Sequence, residues 1–159
     1  MTKPIPDGFH TVTPHLIVRP CADALAFYEE AFGAEVVERS EGPGGLILHA
    51  RVRIGDSYLL MVDEWPHMEP SAIGSPARLG GTTVTMHLYS ADVDAAHARA
   101  VAAGATERMA PADMFWGDRF SMVTDPFGHS WSIATHIEDV SLEERIERGR
   151  KMMSGQAPG

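Results

Sequence analysis

The chain repeats itself at an interval of about seventy residues, and no local motif restricts its fold as strongly. The first copy runs "PHLIVRPCADALAFYEEAFGAE" and then "VRIGDSYLLMVD"; the second runs "VTMHLYSADVDAAHARAVAAGATE" and then "TDPFGHSWSIATH". Gly33 corresponds to Gly104 and Gly55 to Gly128, so strand and helix units recur together. Each unit leaves one sheet face uncovered, and two joined units make a curved trough suited to a ligand.

A length of 159 residues accommodates one composite core, and the repeat divides it into halves rather than independent folds. The expected organisation is a single domain over residues 1–159. It comprises a first module at 11–63, a crossover at 64–81, a second module at 82–137 and a C-terminal helix at 140–153. Apolar residues at 44% and charged residues at 22% are globular values without low-complexity tracts. The net charge of −9, with no Lys/Arg stripe, argues against nucleic acid as a partner. No apolar run is long enough to cross a bilayer and the opening "MTKPIPDGFH" lacks signal-peptide regions, so no membrane partner and a cytoplasmic location are expected. The lone Cys21 cannot form an internal disulfide and reads as a small packing residue.

Residues 11–18 alternate and are rich in β-branched side chains, which predicts a strand. Leu25, Phe27, Tyr28 and Phe32 then fall near helical spacing, and Gly33 is placed to end the helix in a left-handed conformation. Strands follow at 35–40, 46–54 and 57–63. The crossover, rich in Pro and Gly, lacks periodicity, and its Trp65, His67 and Met68 form a candidate flap. The second unit is expected as a strand at 83–89, a helix at 93–103 capped by Asp92, and strands at 106–110, 119–125 and 129–136. Ser141 with Glu144 three residues on is a capping box for a terminal helix.

The segments "AFYEEAFGAE", "VRIGDSYLLMVDE", "DVDAAHARAVAAGA" and above all "MFWGDRFSMVTDPFGHSWSIATHIEDVS" resemble the vicinal-oxygen-chelate superfamily of glyoxalases, bleomycin-resistance proteins and extradiol dioxygenases, and within it the PhnB-like branch. The resemblance implies an α+β fold: two tandem βαβββ modules whose curved mixed sheets surround a ligand cup, helices outside, with a C-terminal helix added. The alternation agrees independently. Thr83, Thr85, His87 and Tyr89 share one strand face, and Ser130, Ser132, Ala134 and His136 share another.

Metal-dependent members hold a divalent ion with His, Gln or Glu at one place on each of four strands. By the resemblance those places fall on Thr13, Leu59, Thr85 and Ser132, a poor donor set because hydroxyls bind transition metals weakly and Leu59 has no lone pair. A two-residue register change would substitute His15 and His87, with Met61 and Ala134 as matching partners. Two imidazoles still fall short of three good protein ligands. No cofactor is therefore expected. The first reading is a metal-free PhnB-like homodimer binding a small organic, hydrophobic or aromatic ligand through Thr13, His15, Leu59, Met61, Thr85, His87, Trp116 and Ser132. The second is a metal-dependent lyase, isomerase or dioxygenase-like enzyme using His15 and His87. Arg119 also has two readings, one serving a ligand carboxylate and one serving a carboxylate of the protein. The "DPFG" segment is read as turn chemistry.

Overall fold

The computed structural model describes residues 2–65 and 74–155. His67 and Met68 lie outside them. The first module runs β1 (His15–Val18), α1 (Cys21–Phe32), β2 (Glu35–Glu41), β3 (Ile47–Ile54) and β4 (Ser57–Asp63). After a short helix α2 (Pro76–Leu79), the second runs β5 (Thr85–Tyr89), α3 (Val93–Ala103), β6 (Thr106–Asp113), β7 (Asp118–Thr124) and β8 (Ser130–His136), followed by α4 (Leu142–Met153). The strand orders β1-β4-β3-β2 and β5-β8-β7-β6 are the same, with β1 parallel to β4 and β5 parallel to β8. Among the described residues no helix is long and apolar enough to cross a membrane.

Helix α1 forms because Ala24, Leu25, Phe27, Tyr28, Ala31 and Phe32 bury one broad face. Gly33 ends it at φ 65°, donating its N–H to Glu29 and leaving the next N–H to reach Tyr28. Asp92 caps α3 through the N–H of Ala95, and Ser141 caps α4 through that of Glu144. The buried Asp63 carboxylate accepts from the N–H groups of Cys21 and Ile47, fastening the start of α1 to the end of β4. Burial pushes the Cys21 thiol up to about 12, so it is an inert packing group.

The two modules meet through α1 and α3 and share one apolar core. Tyr28 and Phe32 pack on Trp131 of β8 with ring centroids 5.3 and 4.5 Å apart. A buried carboxylate fixes this junction. Asp125 accepts from the Tyr28 hydroxyl at 2.6 Å, Trp131 Nε1 at 3.1 Å, and the N–H groups of Phe127 and His129 at 2.9 Å each. The "DPFG" segment is thus a turn and also a strut between the halves. Each sheet keeps a face turned away from the helices, carrying His15, Arg51 and Leu60 on the first and Thr85, His87 and Tyr89 on the second.

Three strand boundaries differ from the sequence expectation by two residues or more, each for a local reason. β1 begins at His15 because residues 15–18 are those in register with β4, Pro14 adding only its carbonyl as acceptor for the Leu60 N–H, and the chain before it crosses the open face of the first sheet. There Phe9 stacks on Tyr58 at 5.0 Å, and the Arg51 guanidinium lies 5.6 and 5.4 Å from the two rings. β5 begins at Thr85 because the Thr82 hydroxyl bonds both the N–H and the carbonyl of Val84. β6 runs on to Asp113, since an edge strand with a shifted register between Met109 and Ala112 tolerates Pro111.

Candidate functional site

The open face of the second sheet brings together four of the residues singled out from sequence. β5 pairs with β8 so that Thr85 lies opposite Ser130 and His87 opposite Ser132. Their side chains follow this register: Thr85 Oγ1 donates to Ser130 Oγ at 3.2 Å, and His87 Nδ1 is hydrogen-bonded to Ser132 Oγ at 2.7 Å. With Nδ1 engaged, His87 Nε2 has no hydrogen-bond partner among the described residues and is available to a ligand.

Rings surround that imidazole. His87 meets Tyr89 edge-on at 4.7 Å and lies parallel to Phe120 at 6.1 Å, while Trp116 stands edge-on to Phe120 at 5.5 Å and to Phe115 at 5.1 Å. The wall is open to solvent, with Tyr89 63% exposed. Asp118 organises its polar rim. It accepts from Trp116 Nε1 at 3.0 Å and from the Tyr89 hydroxyl at 3.5 Å, and it is hydrogen-bonded to His136 Nδ1 at 2.8 Å. His136 Nε2 reaches Asp139 at 2.9 Å, and these carboxylates, Asp139 ahead of Asp118, raise the imidazole's pKa above 6.5.

Gly117 makes the corner that carries Trp116. Its φ is 100°, and a Cβ there would collide with the backbone carbonyl of Glu138. Phe120 and Asp118 were not singled out from sequence. The signal was present, because the alternation that puts Ser132, Ala134 and His136 on one face of β8 puts Met122, Phe120 and Asp118 opposite them on β7.

Where the halves adjoin, a cavity of about 440 Å³ is lined by His10, Thr13, Tyr58, Leu59, His87 and Tyr89, with Trp131 among its further walls. Thr13 and Leu59 therefore line the same cavity as His87. Thr13 precedes β1 and donates to the His10 carbonyl at 3.4 Å. Leu59 is otherwise a core residue, and Met61 is fully buried on the same helix-facing side of β4. The β4 side chains on the open face are Tyr58, Leu60 and Val62, one residue out of step with the expected Leu59 and Met61.

His15 lies on the first sheet beside Leu60, and burial, followed by the neighbouring His49, lowers its pKa. Among the described residues, no hydrogen bond or ring contact joins it to His87. Nor do any three His, Cys, Asp or Glu side chains among them form a group able to hold a metal ion. Thr13, Leu59, Thr85 and Ser132 are no better, since one donor is aliphatic and Ser132 is bound to His87. The described residues at these places do not fit the divalent ion that metal-dependent members of the superfamily hold. Arg119 is occupied within the protein, by both oxygens of Asp94 and by Asp113. Trp65, at the edge of the crossover, is largely exposed.

A family model described as the Glyoxalase/Bleomycin resistance protein/Dioxygenase superfamily matches residues 8–133. The chain belongs to that superfamily. An uncharacterized protein of Mycobacterium bovis is 43% identical over 133 residues, covering 84% of this chain and 88% of the relative. The solved structure of the Arabidopsis thaliana gene product AT5G48480 is 31% identical, covers 79% of this chain and 98% of that one, and superposes with a TM-score of 0.64. TnmS3 from Streptomyces sp. CB03234, described as an antibiotic binding protein, is 25% identical with a TM-score of 0.57, covering 80% of this chain and 95% of its own. Superfamily membership accounts for the paired modules and does not by itself fix a function.

Proposed function

We propose that this protein is a PhnB-like member of the superfamily that acts in the cytoplasm as a homodimer and binds a small planar organic molecule without a metal. The observation that carries this reading is the aromatic wall of Tyr89, Phe120 and Trp116 around His87, whose Nε2 is free while Nδ1 is held by Ser132. A flat apolar ligand stacks on such rings, and the imidazole and Asp118 rim orient its polar edge. An antibiotic-binding protein of the same fold supports sequestration as the role. Against the metal-dependent enzyme stands the want of a third donor, since no three His, Cys, Asp or Glu side chains among the described residues are grouped to hold a metal ion.

Two measurements test the reading. Protein purified without chelator or His tag is expected to hold substoichiometric metal; near-stoichiometric Ni, Zn, Fe or Mn that disappears when His15 and His87 are replaced together would overturn it. Titration with planar heteroaromatics, beginning with acridine and quinoline, and mass spectrometry of co-purifying compounds identify the ligand class. Binding is expected to quench emission in the wild type and much less in Trp116→Phe. Equal quenching in both would remove Trp116 from the site.

A further inference from the structure

Residues 2–13 lie on the first sheet with little to fasten them there. Among the described residues their hydrogen bonds stay inside the segment: Lys3 to Asp7, the Phe9 N–H to the Pro6 carbonyl, and Thr13 to the His10 carbonyl. Of residues 2–12, Phe9 is the one partly sheltered from solvent. The segment is therefore held chiefly by a single ring, stacked on Tyr58 at 5.0 Å with the Arg51 guanidinium 5.6 Å from its centroid. Gly8 follows the same surface so closely that a Cβ there would meet the Tyr58 ring at 2.6 Å.

The groups around that ring identify the guest that replaces it. Arg51 Nη2 pairs with Glu38 at 2.9 Å, but Arg51 Nε is closed off from solvent with no hydrogen-bond partner among the described residues. A buried donor left unmet is costly, and the Phe9 ring has no lone pair to offer it. A planar aromatic bearing a carbonyl supplies both the stacking surface and the acceptor. A carboxylate suits the place less well, because Glu38 already balances the guanidinium and repels a second anion. Beside the ring is a cavity of about 540 Å³, lined by Phe9, Glu38, His49, Arg51 and Leu60 among others. His10 and Thr13 line both this cavity and the one of about 440 Å³ beside His87, so the segment is the partition between them.

We infer that Tyr58 and Arg51 form a second ring-binding site, filled in this structure by Phe9 of the same chain, for a planar aromatic that carries a carbonyl. Such a guest displaces Phe9, accepts the Arg51 Nε–H and opens the two cavities into one. Phe9 acts as an internal competitor: the apparent affinity for the guest is reduced to the fraction of molecules in which the ring is lifted. The site is separate from the aromatic wall around His87 and does not depend on what binds there.

Coumarin, a planar lactone, is the probe, titrated into the isotope-labelled full chain and followed by amide NMR. As it binds, the Gly8 and Phe9 resonances are expected to move towards random-coil positions. Phe9→Ala should bind coumarin about tenfold more tightly, the gain from removing one stacked ring and its cation contact. In the Phe9→Ala background, Arg51→Met keeps the aliphatic stem, removes Nε and should cancel that gain. Circular dichroism and thermal melting check that the variants remain folded, as the exposure around Phe9 allows. Coumarin shifts confined to the resonances of Trp116 and His87 would overturn the second site while leaving the aromatic wall as a ligand face. A Phe9→Ala protein that binds coumarin no more tightly than wild type, or a gain indifferent to Arg51→Met, would overturn it equally.

Discussion

Tyr28→Phe isolates one hydrogen bond of the junction between the halves. The Tyr28 ring is fully buried, and its hydroxyl donates to Asp125 at 2.6 Å beside Trp131 Nε1 at 3.1 Å. Deleting the oxygen keeps the ring packing on Phe32 and Trp131 but leaves that carboxylate oxygen one donor short. A buried hydrogen bond to a charged group contributes about 1.5–3 kcal/mol. For a chain of this size that lowers the melting temperature by about 3–12 °C. Asp125→Ala should cost more, roughly 4 kcal/mol or above, because it strands two side-chain and two backbone donors at once. Asp125→Asn should fall between the two, as one amide face still accepts while the other opposes donors. Urea unfolding followed by far-ultraviolet circular dichroism and by tryptophan emission measures these losses. A Tyr28→Phe protein within about 0.5 kcal/mol of wild type would refute the assignment of Asp125 as the strut.

Three further outcomes test the placement of other residues. Met61→Ala should cost about 2–5 kcal/mol in urea unfolding while ligand affinity stays unchanged, since its side chain faces the core; a loss of affinity at constant stability would contradict the observed β4 register. Gly117→Ala should destabilise by about 2 kcal/mol or more, through its positive φ and its contact with the Glu138 carbonyl, and should disturb Trp116 emission; a neutral effect on melting would refute it. The His136 imidazole should titrate above 6.5 by proton NMR, and Asp139→Asn should bring it back towards that value. Because its folded pKa is raised, the stability it contributes is complete below 6.5 and fades as pH rises through the folded value; a midpoint at or below 6.5 would remove this linkage.

The repeat made the architecture legible, because Gly33, Asp92 and Ser141 are local stop and start signals that act with little help from the rest of the chain. The second sheet was similarly readable, since Thr85, His87, Ser130 and Ser132 alternate with apolar neighbours and so declare their face. β4 was not. Leu59, Leu60, Met61 and Val62 are all apolar, so alternation carries no directional information there, and the side is decided by Asp63 reaching Cys21 and Ile47. Asp125 was read only as a turn residue because its strongest partner, Tyr28, is remote in sequence and near only after folding. The course of residues 2–14 likewise depends on Tyr58 and Arg51 meeting Phe9, which no local pattern encodes.

That course makes the halves unequal. Two surfaces inherited from one repeated plan begin as equivalents, but the chain's own leading stretch already lies across the first, with Phe9 and Arg51 clasping Tyr58. Changes there are answered by the segment resting on it, whereas the leading stretch reaches His87 only at the rim of the cavity that His10 and Thr13 share with it. The face around Phe120 and Trp116 can therefore vary largely by itself, while the first half is tethered by the segment that crosses it.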